Sequence, residues 1–234
     1  NNFVDEYRIN LTEEVGGDCG EELNRFISDA ATILATERGI SEYDKSTLAK
    51  QFVLFDFRHH LYAPLVCVKK NNLKIQVSPV QLNEDEKTFV DLLDCYMKNH
   101  DAEWKDKSLF LLRNKSKVGM GFFEAGNFYP DYILWIDTDD KQYINFIDPK
   151  GLMHIMPENP KIKFYKKIKD LEVRLAPSAG DKQIVLNSFI MSSTRGANLR
   201  EWWGMKKPSE HEAMNVYTLD DAKCIEKMIQ KISQ

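Results

Sequence analysis

Two acids and a lysine in the stretch FYPDYILWIDTDDKQYINFIDPKGL, residues 128–152, have the types and spacing to do chemistry. Asp131 opens the apolar run YILWI. Asp148 closes a second run, INFI, and Lys150 follows two residues later. Side chains alternate across a strand, so an extended backbone puts Asp148 and Lys150 on one face. A hairpin between the runs brings Asp131 to the same strand end. Two carboxylates that converge there raise each other's pKa. A divalent cation relieves that repulsion, and Mg²⁺ favours one or two carboxylates with water and substrate phosphate completing its shell. Lys150 then has a task, orienting a water or stabilising charge that grows on a phosphoryl oxygen. Pro149 lacks an N–H and disturbs the ladder, while its carbonyl stays open to a metal. The constellation reads as metal-assisted phosphodiester hydrolysis. The competing reading is that Asp148-Pro149-Lys150-Gly151 forms a turn, since Asp, Pro and Gly are turn residues.

The elements that must position these residues follow from periodicity. LNEDEKTFVDLLDCYMKNH predicts a helix with Asn83 as N-cap and Phe89, Val90, Leu93, Tyr96 and Met97 as its apolar stripe. SLFLLRN and VGMGFFEA predict strands joined by the basic turn RNKSK. YILWI and INFI are apolar on both faces and belong at the centre of a covered sheet. KFYKKIKDLEVRLA predicts an amphipathic helix with a lysine-rich outer face, KQIVLNSFIMS a strand, and LDDAKCIEKMIQKI a closing helix. From residue 81 to 234 the order is α/β with a mixed central sheet flanked by helices. Residues 1–80 read differently. GEELNRFISDAATILATERGI and KSTLAKQFVLFDFRHHLYAP predict helices and LKIQVSPV a short strand, which together make a mostly helical appendage or linker.

The bulk composition excludes little but directs attention. The chain has 234 residues, 43% hydrophobic and 29% charged, and no run of apolar residues reaches a membrane span. Cys19, Cys67, Cys95 and Cys224 are scattered without a CxxC pair, so neither zinc nor a disulfide framework is expected, and reduced thiols in a cytoplasm are. The first 104 residues carry a net charge of −8 and the remainder +4, so the half with the acid pair is also the half that suits a polyanion. The sequence opens NNFVDEYRIN, with no signal-peptide pattern and no Met, and we expect a fragment of a larger protein.

Four blocks in order, LNEDEKTFVDLL, LFLLRN, GFFEAGNFYPDYILWI and YINFIDPKGL, resemble the C-terminal endonuclease domain of type III restriction enzymes and related helicase–nuclease proteins. The last two carry the PD-(D/E)XK nuclease signature. The resemblance spans about residues 80 to 195, roughly half of the chain. It implies a restriction-endonuclease-like fold and Mg²⁺-dependent DNA cleavage, with Mn²⁺ as a substitute. Asp131, Asp148 and the Pro149 carbonyl would hold metal, and Lys150 would assist the attacking water. Glu86 matches the acid such nucleases often add from the preceding helix, and it is equally well placed to close a capping box with Asn83. Glu124 is a weaker ligand candidate. The implied partners are double-stranded DNA, a helicase/translocase region in the parent chain and a modification (methyltransferase) subunit in a bacterial or archaeal cytoplasm. No GxxxxGK[ST] loop or acidic helicase box is present, so no ATP site is expected in this chain.

Further cations have DNA contact as one reading and ordinary solvation as the other. Arg113, Lys115 and Lys117 sit in the basic turn, and Arg195 lies in SSTRGANLREWW after the last long strand. The run Lys161, Lys163, Lys166, Lys167 and Lys169 reads as a solvated helix face, and His154, His59 and His60 as structural or surface residues. Two rivals remain beside the nuclease: a non-catalytic module that keeps the fold to bind DNA or a partner, and a two-carboxylate glycosidase, which gives Lys150 no work.

Overall fold

The computed structural model describes residues 8–11, 52–55, 65–68, 75–78, 82–114, 119–176 and 182–234. Within the first 80 residues it defines four short strands, β1 (Arg8–Leu11), β2 (Phe52–Phe55), β3 (Leu65–Val68) and β4 (Ile75–Ser78). β1 pairs antiparallel with β4, and β2 with β3. β4 is the strand expected in LKIQVSPV. β2 corrects the sequence reading, which placed Phe52–Phe55 in a helix. Phe-Val-Leu-Phe is aromatic and β-branched, and such side chains pack best on a pleated surface. The helix expected over residues 20–40 lies outside the described residues.

The rest builds one layered unit. α1 (Glu84–Asn99) leads through a single 3₁₀ turn to β5 (Ser108–Arg113). β6 (Tyr132–Asp137) and β7 (Lys141–Lys150) follow, then α2 (Pro160–Leu175) and β8 (Gln183–Ser192). α3 (Gly196–Trp203), α4 (Pro208–Glu212), β9 (Val216–Thr218) and α5 (Cys224–Ile232) complete the chain. The sheet order is β5-β6-β7-β8-β9. β5, β6 and β7 form an antiparallel meander, and β8 and β9 add in parallel, the first through α2. The mixed α/β class expected from the sequence is present, and YILWI and INFI occupy interior strands.

Residues 119–125 of VGMGFFEA do not form the strand expected there. They make one 3₁₀ turn, Phe123–Ala125, and a single bridge between Phe122 and Phe128. Gly126 and Asn127 both take left-handed φ, 72° and 56°, and end any extended run there. Gly121 lies against the ring of Tyr129, which leaves no room for a Cβ.

The pleat divides the core in two. Leu109, Leu111, Tyr132, Leu134, Ile147 and Phe189 face α1 and α5, where Phe89, Val90, Leu93, Ile225, Met228 and Ile232 meet them. Leu112, Ile133, Phe146, Leu186 and Ile190 face the other way, onto Ile162, Phe164 and Ile168 of α2 and Leu199 and Trp203 of α3. No helix among the described residues is long and apolar enough to cross a membrane.

Candidate functional site

Register decides which side chains meet. Tyr132 pairs with Ile147 at the end of the β6–β7 ladder, and the Asn114 N–H donates to the Asp131 carbonyl at 2.8 Å, which carries the β5–β6 pairing one residue further. Asp131 is thus the next residue out from that pair, at the strand end where Asp148 lies. Directly opposed residues share a face, as do residues i and i+2 of one strand. Asp131, Asp148 and Lys150 thus lie together on the α2 side of the sheet, at the C-terminal end of β7. Pro149 is buried between the two, with its ring on the opposite face.

The environment makes these groups costly. Asp148 is 4% exposed, and its Oδ2 is ion-paired with the Lys150 ammonium. Burial pushes Asp131 up to about 6; the charges of Lys150, Arg113 and Lys161 pull it down, and that of Asp85 adds to the push. Burial brings Lys150 down to about 8, helped by Lys161 and opposed by Asp131. Two carboxylates held against desolvation at one strand end offer oxygen ligands that suit a hard divalent cation. No group of three or more His, Cys, Asp or Glu side chains able to hold a metal occurs among the described residues.

Glu86 lies near enough to Asp131 for that charge to raise its pKa, and it also serves the cap of α1. Its carboxylate accepts from the Asn83 N–H at 3.1 Å while Asn83 Oδ1 accepts from the Glu86 N–H at 2.9 Å, a complete capping box. The same carboxylate takes a hydrogen bond from Arg113 at 3.0 Å. Arg113 shares the face of Tyr132, so this buried pair sits on the α1 side of the sheet, across from Asp148. Burial raises the Glu86 pKa and the Arg113 charge opposes it. Arg113 is the last residue of β5, 8% exposed, rather than part of an open basic turn. Lys115 and Lys117 lie outside the described residues, as do His59 and His60. Glu124 falls in the 3₁₀ turn before Asp131.

Two residues join the site that sequence reading did not put there. Asp85, beside Glu86 in α1, accepts from the Ser193 hydroxyl at 2.9 Å and lies near enough to act on Asp131. Lys161, assigned to a solvated face, is half-buried in the first turn of α2. Its Nζ lies 5.8 Å from the centroid of the Phe128 ring, and that of Lys150 lies 5.6 Å from the same centroid. The NEDE string flags Asp85 only as one of three adjacent acids, and nothing local separates Lys161 from its neighbouring lysines.

Beyond Gly151 a cavity of about 590 Å³ opens between the β7–α2 connection and the start of α3, lined by Gly151, His154, Ser193, Thr194, Arg195 and Asn198 among others. Thr194 Oγ1 accepts from the Leu152 N–H at 2.8 Å and the Ser193 N–H donates to the Lys150 carbonyl at 3.1 Å, tying the two loops together. Arg195 is exposed at the α3 N-cap, and exposed His154 meets Trp202 edge-on at 6.1 Å. Comparison with known protein families, with curated proteins and with solved structures finds no match for this chain.

Proposed function

We propose that residues 81–234 form a Mg²⁺-dependent DNA endonuclease domain of the PD-(D/E)XK type, part of a type III restriction-modification or related phage-defence helicase–nuclease. The observation that carries this reading is the end of the β6–β7 ladder at Tyr132–Ile147, one residue short of both Asp131 and Asp148, with Lys150 ion-paired to Asp148. The mixed sheet flanked by helices is compatible with the fold that the resemblance implies. A bound Mg²⁺ would supply Lewis-acid polarisation of the scissile phosphate and a more acidic water. Asp131 and Asp148 would hold it, with the Pro149 carbonyl as a further donor. Lys150, released from Asp148 as the metal takes that carboxylate, would donate to the attacking water or to a phosphoryl oxygen. Net, one water is consumed: its hydroxyl goes to phosphorus, and its proton goes to the sugar oxygen that departs. Arg195 and the hydroxyls beside it would meet neighbouring phosphates along the cavity.

The test is nicking of a supercoiled plasmid by purified protein with Mg²⁺, Mn²⁺ or EDTA. Metal-dependent cutting that Asp148→Ala abolishes, with duplex binding retained, is the expected result. The occupied state of Asp148, already paired with Lys150, favours a second reading in which the chain binds DNA or a partner without cutting. Duplex binding with no metal-dependent nicking by the wild type would select it.

A further inference from the structure

The nuclease reading leaves one cation at the site without a role. Lys161 begins a helix whose first turn contains no acid. The N-terminus of a helix carries a partial positive charge, so a lysine there is unfavourable. The turn is otherwise well built: Pro160 occupies the first position and Asn159 Oδ1 accepts from the Lys161 N–H at 3.0 Å. Capping is thus optimised while charge is not. Among the described residues no carboxylate lies in ion-pair contact with Lys161. Its ammonium instead rests over Phe128, the ring that Lys150 also overlies. Phe128 is fully buried and packs edge-on against Phe164 of α2 at 5.6 Å, so both lysines are steered by one fixed platform.

Charge balance says what such a cation is for. Asp131, Asp148 and Asp85 carry three negative charges against the two of Lys150 and Lys161. With a divalent cation bound the site would be one charge positive, and without Lys161 it would be neutral. A phosphodiester brings one negative charge, and the transition state of its hydrolysis brings about two. The positive charge that Lys161 leaves in excess therefore attracts the transition state more than the ground state, which is the condition for acceleration.

We propose that Lys161 is a further catalytic residue, whose ammonium contacts a non-bridging oxygen of the scissile phosphate from the α2 side while Lys150 approaches from β7. The inference rests on the nuclease reading. It makes the α2 N-terminus, its two capping residues and Phe128 a phosphate seat rather than a solvated helix face.

The experiment pairs nicking with binding. Wild type, Lys161→Met, Lys161→Arg and Asp148→Ala are compared on supercoiled plasmid with Mg²⁺. Their affinities for a short duplex are measured with Ca²⁺ over a range of salt, and melting curves show that each variant is folded. Lys161→Met is expected to cut about 100-fold more slowly, the loss typical of one oxyanion donor, and Lys161→Arg to recover at least tenfold of that. The slope of log affinity against log salt should fall by about 0.9 in Lys161→Met, one phosphate contact fewer. Lys161→Met cutting within threefold of wild type, with an unchanged slope and Asp148→Ala inactive, would overturn the role of Lys161 and leave the nuclease standing. A wild type that binds but does not cut would overturn the nuclease and this role together.

Discussion

The pairing of Asp148 with Lys150 has a consequence for stability that is independent of any activity. Removing one member of a buried ion pair strands the other without compensation, at a cost of about 3 kcal/mol, while removing both together is far milder. Lys150→Met should therefore lower the urea-unfolding free energy by about 3 kcal/mol, and adding Asp148→Ala to it should restore most of that. Additive losses would show that the contact contributes little. The acid pair and Lys150 were legible in the sequence because strand alternation and one hairpin register are enough to bring them together. Glu86 was half legible, since the capping spacing and the ligand position coincide, and only the partner Arg113 separates them. Lys161 was not legible. A lysine in an amphipathic lysine-rich helix looks like its neighbours until the turn that holds it is set against Phe128.

Among the elements, the last helices are joined by charge as well as by apolar packing. Lys227 of α5 donates to Glu212 of α4 at 2.7 Å and to Asp221 at 2.7 Å. Burial pushes Asp221 up, but the hydrogen bonds from Lys227 and from the Lys223 N–H outweigh it and leave the carboxyl below its ordinary 3.8. A depressed acid stabilises the fold at pH values above its unfolded pKa, and that contribution is lost as pH falls through the folded value. Lys227→Met should thus cost about 1 kcal/mol at pH 7, since partly exposed pairs contribute little each. The cost should shrink steadily below pH 3.8, which urea melts of the two proteins across pH 2.5–7 will show. Long periodic elements were the readable ones: α1 with its Asn83 cap, β6, β7, α2 and β8. VGMGFFEA misled because its apolar content is strand-like while Gly121, Gly126 and Asn127 fix the backbone otherwise. α3, α4 and the three-residue β9 are too short for periodicity to register.

Across the whole molecule, one sheet serves two separate apolar layers, and each layer depends on interior strands. Phe189 is fully buried on the α1 and α5 side, beside Tyr217 at 6.1 Å between ring centroids. Phe189→Ala should destabilise by about 3–5 kcal/mol, measured by urea unfolding, as a large cavity in a rigid layer does. A loss below 1 kcal/mol would mean that the layer collapses to fill the space. The α/β class was readable because runs apolar on both faces demand a covered sheet. The first 80 residues were read less well, as the helical spacing assigned across Phe52–Phe55 competes with a strand-like composition.

The short β9 leaves a different mark. It pairs with β8 only at Ile190, Met191 and Ser192, so among the described residues Gln183–Phe189 has no neighbouring strand on that flank of the sheet. Open backbone donors and acceptors on a sheet edge are a template for a foreign strand, and side chains close part of this one: the Leu186 N–H donates to Glu172 Oε2 at 2.6 Å and the Ser188 carbonyl accepts from Asn215 Nδ2 at 3.1 Å. Here the approach is guarded by polarity: Lys182, bound to both oxygens of Asp137 at 2.9 Å, stands at its entrance, and Asn187, tied to Asn145 at 2.9 Å and to Lys169 at 3.1 Å, sits midway. Replacing Lys182 and Asn187 with valine should therefore raise self-association at high concentration, which light scattering will show.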